Sequence, residues 1–354
     1  MKSAFEGEMN TGLVYHPIYL EHETGSHPEN ASRLEAVVQM LQETGLEKQL
    51  TAIEPRPATI EELSLAHTPE HISQVQKVAQ EGGGWLDPDT VVSPSSYTVA
   101  LHAAGGVLQA LDAVMDRQIN SAFALVRPPG HHATRHRAMG FCLFNNIAVA
   151  ARYAQRKFAL ERVLIVDFDV HHGNGTQDAF YHDPSVLYFS THQHPFYPGT
   201  GSLSETGEGE GKGSTVNIPL PAGCGDDEYR KVFGEVLIPL ARRFRPQLLL
   251  VSAGYDAHWT DSIAMMELTA SGYGQLAATM KALAEDNCQG RLVFALEGGY
   301  QLHALAASVR TTLDILLENP PAPDPLGAPV SRKAIPHLDD TLREVKRIHG
   351  LGSP

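Results

Sequence analysis

The chain has 354 residues, 42% of them hydrophobic, and 27 basic against 41 acidic side chains leave a net charge of −14. A core of useful size is possible, a sequence-independent grip on nucleic-acid phosphates is disfavoured, and a cationic substrate would be welcome. No apolar run reads as a membrane span, Met1–Asn10 lacks the apolar centre of a secretory signal, and Cys142, Cys224 and Cys288 are too few and scattered for a disulfide framework, so a reducing cytoplasm is the expected setting.

Short apolar runs alternate with helical patterns along the chain. A helix is predicted over Tyr97–Val114, a strand over Ala122–Val126, a helix over Asn146–Lys157, and strands over Val163–Val166, Val186–Phe189 and Thr215–Ile218. A helix over Asp226–Phe244, a strand over Leu248–Val251, a helix over Ser271–Glu285, a strand over Leu292–Leu296 and a helix over Ala304–Leu317 come next. This βαβ rhythm predicts an α/β fold, one domain over residues 1–318 with a central, mostly parallel sheet of about eight strands and helices on both faces. Residues 319–354 read as a proline-rich connection (Pro320–Pro329) and a charged helix over Leu338–Ile348, packed on or appended to that domain. Gly207–Ser214 lacks the phosphate-loop spacing and reads as a flexible surface loop.

The residues just beyond each strand are more telling than the strands. Arg127-Pro128-Pro129-Gly130-His131-His132, Asp167-Phe168-Asp169-Val170-His171-His172, Ser190-Thr191-His192, Ser252-Ala253-Gly254-Tyr255-Asp256 and Glu297-Gly298-Gly299-Tyr300 all sit where an apolar run ends. Ligands of open α/β sheets bind beyond the carboxyl ends of the strands, so these five tails are expected to line one cleft.

Asp169 and His171 are two apart, so on an extended backbone they leave the same side and can meet one cation. Carboxylate and imidazole without thiolate suit an open catalytic divalent site, which needs a third protein ligand, and Asp256 is the best candidate. Two anionic ligands lower the electrophilicity of the ion, so water activation needs a base, and His131 and His132 can supply it. Asp167 and Asn174 are candidate hydrogen-bond partners of these groups. Tyr300 could donate to a developing oxyanion, although a tyrosine there taken by itself is better read as a lid packed on the rim.

These motifs resemble the histone deacetylase family, within the wider arginase-like group of metal amidohydrolases, over about Thr11–Leu317. The resemblance also rests on His27-Pro28-Glu29 with Arg33, Gly140-Phe141-Cys142 with Phe144-Asn145-Asn146, and Gly173-Asn174-Gly175-Thr176-Gln177. It implies that residues 1–318 form a deacetylase catalytic domain of arginase/deacetylase-like fold, with zinc on Asp169, His171 and Asp256. It further implies acid–base roles for His131 and His132, carbonyl polarisation by Tyr300, and one or two structural potassium ions, one of them on Asp167, Asp169, His171, Ser190 and Thr191. Gly140 and Phe141 would line one wall of an acyl-lysine tunnel, Tyr197 or Phe196 the other, and Asp89 would grip substrate backbone amides at the rim.

Asn174, where class I members carry aspartate, and the Glu-Gly-Gly-Tyr motif resemble the class II branch and its bacterial relatives. Ile263 stands where polyamine-selective relatives have glutamate, and Ser262 replaces a usual proline. The resemblance therefore implies hydrolysis of acetyl-lysine in peptides or proteins; an acetylpolyamine or other small acyl-amine substrate, a silent acyl-lysine binding protein and a manganese ureohydrolase are the rivals. Zinc and iron would both suit an Asp/His/Asp set.

Overall fold

Leu, Ile and Val crowd the middle of the chain, and the strands they form are buried on both faces. The computed structural model describes residues 10–330, 335 and 338–352, so Met1–Met9, read above for a signal, lie outside the described residues. In chain order the strands are β1 (Thr11–Val14), β2 (Thr51–Ile53), β3 (Gly84–Asp87), β4 (Thr90–Val92) and β5 (Ser121–Ala124). The later ones are β6 (Val163–Asp167), β7 (Val186–Gln193), β8 (Thr215–Leu220), β9 (Leu248–Ala253) and β10 (Leu292–Leu296).

Eight of them form one sheet in the order β2-β1-β5-β10-β9-β6-β7-β8, and every neighbouring pair is parallel. Parallel neighbours need crossover connections, whose right-handedness puts connections running in opposite directions along the sheet on opposite faces. Helix Ser96–Met115 packs with Asn146–Phe158, whereas Ser32–Thr44 and Ala270–Cys288 both pack with Leu302–Leu316. All residues of β5, β6, β9 and β10 are buried. In that middle, Phe123 and Phe294 are register partners whose rings stack 6.0 Å apart. The remaining strands, β3 and β4, make a small antiparallel hairpin beside the sheet.

Several expectations need revision. β7 continues to Gln193, so Ser190, Thr191 and His192 belong to the strand and do not lie beyond it: they pair with Asn217, Ile218 and Pro219 of β8 and turn polar because they lie beside the cleft. β1, β2 and the hairpin were not foreseen. The Asp226–Phe244 helix contains a π-helical stretch, Phe233–Leu237. Gly207–Ser214 is not free of the body: Glu208 N donates to Tyr181 O at 2.8 Å, Gly213 N to Thr206 O at 2.6 Å, and Gly211 is buried. Ser96–Met115 is long and apolar enough to cross a membrane by those two criteria alone. Most of it is buried against β1, β5 and β10, which accounts for its hydropathy as that of a core helix. The Leu338–Ile348 helix packs its buried Leu338, Leu342 and Val345 toward edge strand β8.

Candidate active site

Four adjacent strands, β5, β10, β9 and β6, send their carboxyl-end tails into one cleft. β6 ends at Asp167, and the turn beyond it places Asp169 and His171; β9 ends at Ala253, three residues before Asp256. His171 Nδ1 lies 3.1 Å from Asp169 Oδ1 and 3.3 Å from Asp256 Oδ2. All three residues are buried, with the potential donor atoms mutually within 4.8 Å. Among the described residues no hydrogen bond reaches Asp256 Oδ2. A buried carboxylate oxygen left this way carries a desolvation penalty that a cation would relieve. Donors about 2.0–2.2 Å from a tetrahedral ion stand about 3.3–3.6 Å apart, close to the spacing found here. The residues therefore fit a divalent ion.

The backbone is shaped around these carboxylates. A Cβ on Gly254 would come within 2.0 Å of Asp169 Oδ2, and one on Gly298 within 2.2 Å of Asp256 Oδ2. Gly298 N donates to Asp169 Oδ2 at 2.9 Å, and Val170 N to Asp256 Oδ1 at 3.0 Å, which leaves Asp169 Oδ1 and Asp256 Oδ2 beside the imidazole.

His131 and His132 stand over this group with ring centroids 4.0 Å apart, and His131 Nε2 is 3.8 Å from Asp169 Oδ1. Their partners differ in charge. His131 Nδ1 meets the Asp167 carboxylate at 3.1 Å, while His132 Nδ1 meets the Asn174 amide oxygen at 2.8 Å. Burial alone would favour neutral His131, but Asp167 and Asp169 outweigh it and raise its pKa to about 10. Burial, reinforced by the positive charges of His131 and His171, pushes His132 well below the ordinary histidine range. Two neighbouring imidazoles, their planes tilted by 43°, are thereby pushed in opposite directions, His131 toward the cation and His132 toward the neutral ring, the division of labour an acid–base pair requires.

Above them is a pocket of about 250 Å³ lined in part by Asp89, Gly140, Phe141, Ile263 and Tyr300. Phe141 crosses the Tyr300 ring edge-on at 5.9 Å. Opposite, Phe196 stacks on His171 at 5.3 Å and Tyr197 meets His132 at 5.1 Å, so both aromatic candidates line that wall. Gly140 is required for contact: a Cβ there would lie 2.4 Å from His132 Cδ2. Burial keeps the Tyr300 phenol well above its usual pKa, hence protonated.

Residues 27–316 match the family described as histone deacetylase domain. The chain belongs to the histone deacetylase family. A probable deacetylase of Archaeoglobus fulgidus is 42% identical over 297 residues, 83% of this chain and 82% of the relative. Histone deacetylase 14, chloroplastic, of Arabidopsis thaliana is 40% identical over 351 residues, 94% of this chain and 83% of the relative. Among solved structures, the crystal structure of the HDA15 HD domain superposes with a TM-score of 0.87 at 35% identity, covering 97% of this chain and 95% of the other.

In this deacetylase-family chain the sixteen sequence candidates gather at one end of the sheet. Ten line the pocket, Asp169 and Asp256 lie at its floor, Asn174 lies behind His132, and Asp167 lies behind His131. Ser190, the register partner of Asp167, and Thr191 are buried on β7. Sequence reasoning missed the bracing. Glu297 Oε2 accepts from Gly130 N at 2.6 Å and His131 N at 3.2 Å, tying the histidine tail of β5 to β10. Arg33 donates to Gly299 O at 2.7 Å and Glu297 O at 2.5 Å and lies 4.9 Å from the Tyr300 ring centroid. Glu29 joins Arg33 at 3.2 Å and Arg127 at 2.5 Å. The His27-Pro28-Glu29 and Arg33 motif was the signal for this network, but its partners are more than 90 positions away in sequence.

Proposed function

We propose that this chain hydrolyses the amide of acetyl-lysine in peptides or proteins, using a zinc ion held by Asp169, His171 and Asp256. The observation that carries this reading is the Asp256 Oδ2 atom, without a hydrogen bond among the described residues and 3.3 Å from His171 Nδ1, at the floor of a narrow aromatic-walled pocket. A bound zinc ion supplies Lewis acidity toward a carbonyl oxygen and a water molecule. The side chains do the rest.

Phe141, Phe196 and Tyr197 hold the apolar stem of the acyl-lysine and keep solvent from it. Neutral His132, its Nδ1–H oriented by Asn174, accepts a proton from the attacking water at Nε2. Charged His131, held by Asp167, delivers a proton to the departing lysine nitrogen. Tyr300 donates to the oxygen that gains charge as water adds to the carbonyl carbon, and acetate and lysine result. Ile263 gives the rim an apolar side, which supports a peptide over a polyamine, and Asp89 at the mouth suits backbone N–H groups.

Potassium is proposed for the oxygen-rich set of Asp167, Asp169, His171, Ser190 and Thr191, where Asp167 and Ser190 are register partners on β6 and β7. The three cysteines are buried and free, in keeping with a cytoplasmic setting. Residues 1–318 form the deacetylase unit in this reading, and 319–354 a proline-rich connection and C-terminal helix belonging to the same domain, with Leu338–Ile348 packed toward β8.

The test compares kcat/KM of zinc-replete protein on an acetyl-lysine peptide and on acetylspermidine. Faster peptide turnover, abolished by chelation, is expected. Preference for acetylspermidine replaces the substrate, and inertness toward both overturns the reading.

A further inference from the structure

The proline-rich arm after Leu302–Leu316 lies against the loop that leads from Asp256 to the next helix. That loop is closed at its base, where Leu268 N donates to Ala257 O at 3.1 Å and Trp259 N to Leu268 O at 2.8 Å. Its tip carries Asp261 and Ile263. Asp261 Oδ1 accepts from Ile263 N at 3.1 Å, and Oδ2 accepts from Tyr300 N at 2.6 Å and Gln301 N at 3.0 Å. One carboxylate thus joins a pocket wall to the backbone that carries the phenol.

The arm pins this loop at both ends. The Trp259 indole N–H donates to Gly327 O at 3.2 Å, near the loop's entry. Asp324 Oδ2 accepts from Ala270 N at 2.8 Å, immediately after the loop's exit, while its Oδ1 shapes the arm through Leu326 N at 2.9 Å. The same arm shares a cleft with Leu302 and His303, at the start of the helix beyond Tyr300. Asp226 holds Thr269 independently, at 2.9 and 2.7 Å, so the loop stays attached when the arm contacts are removed and loses orientation instead.

We infer that Asp324 and Gly327 of the C-terminal arm are positioning elements for catalysis, fixing the Tyr300 phenol through Trp259, the 257–269 loop and Asp261. This rests on the deacetylase reading for its kinetic consequence and on geometry alone for the mechanical link. Trp259→Phe removes one N–H donor, and Asp324→Ala removes both acceptors.

In the full zinc-loaded chain each substitution is expected to lower kcat on an acetyl-lysine peptide about tenfold, as a small misplacement of a reacting group does. KM should change less than twofold and zinc affinity not at all. In a Tyr300→Phe background Asp324→Ala should cost no further kcat. A loss confined to KM, unchanged kinetics, or the same tenfold loss repeated in that background overturns the inference. With Trp85→Phe making Trp259 the sole indole, Asp324→Ala should also red-shift its emission, and an unchanged spectrum overturns the link. If the wild type turns over no acetyl-lysine, the functional reading falls, and the emission still judges the arm.

Discussion

His132 Nδ1 lies 2.8 Å from the Asn174 amide oxygen, so the ring's other nitrogen, Nε2, is left free to accept a proton. A neutral partner orients this imidazole without adding negative charge, while its neighbour His131 is matched to a carboxylate. His132→Ala is expected to lower kcat/KM by about 100- to 10,000-fold, the usual worth of a general base. Asn174→Ala, which leaves the ring present but untethered, should lose less. Steady-state kinetics on an acetyl-lysine peptide check both, and equal activity of Asn174→Ala and wild type sinks the orienting role.

The Tyr300 phenol is kept protonated by burial and faces the pocket that Phe141 walls. Removing one oxyanion donor costs about 100- to 1,000-fold in kcat. Tyr300→Phe should show that loss, about 3–4 kcal/mol, with KM nearly constant. A variant with wild-type kcat assigns the phenol to packing.

The central strands and the cleft residues were legible because strands buried on both faces are continuous apolar runs, and polar residues at their ends have few other reasons to be there. β1 was hidden by Gly12, whose Cβ would come within 2.5 Å of Ile119 and Ile53; that packing only the assembled sheet reveals. β2 has three residues, two of them exposed, and carries almost no pattern. Ser190-Thr191-His192 fall beyond the apolar run because their polarity ends it, yet they are strand positions beside the cleft. The Glu29–Arg33–Arg127 network and the Asp261–Tyr300 bond join distant segments, and local periodicity cannot register them.

Gly298 lies so close to the carboxylates that any side chain would enter the proposed ion site. Gly298→Ala should therefore abolish zinc uptake while the far-UV circular dichroism stays unchanged, as read by metal content after dialysis. Zinc at 100 times Kd should add about 2.7 kcal/mol to wild-type stability and raise its Tm accordingly. Asp256→Ala should erase that rise, and a Tm response that survives it places the ion elsewhere.

Acid stability depends on buried groups that are not themselves ion ligands. His67 is buried with Nε2 accepting from Asn145 N at 2.8 Å and Nδ1 against Thr134 O at 2.9 Å; burial, with His71 nearby, lowers its pKa to about 3. His22 is lowered to about 4, burial outweighing the pull of Glu29. For both, the unfolded chain binds a proton from pH 6.5 downward while the fold does not, so stability is lost as pH falls and retained above 6.5. Each group costs about 1.4 kcal/mol per pH unit within its window, 6.5 to about 4 for His22 and 6.5 to about 3 for His67. Glu29 adds a second limb: burial raises its pKa, but Arg127, His22 and Arg33 outweigh this and hold it at about 2, so its contribution is full above 4.5 and fades below. Glu297, raised by burial to about 7, gains stability over the same range and offsets part of this loss. Urea midpoints taken from about pH 7 down to about pH 5 should therefore fall in wild type by less than the histidines alone would give. His67→Gln, which can keep one donor and one acceptor at that place, should flatten the decline, and an unaltered slope removes His67 from the account.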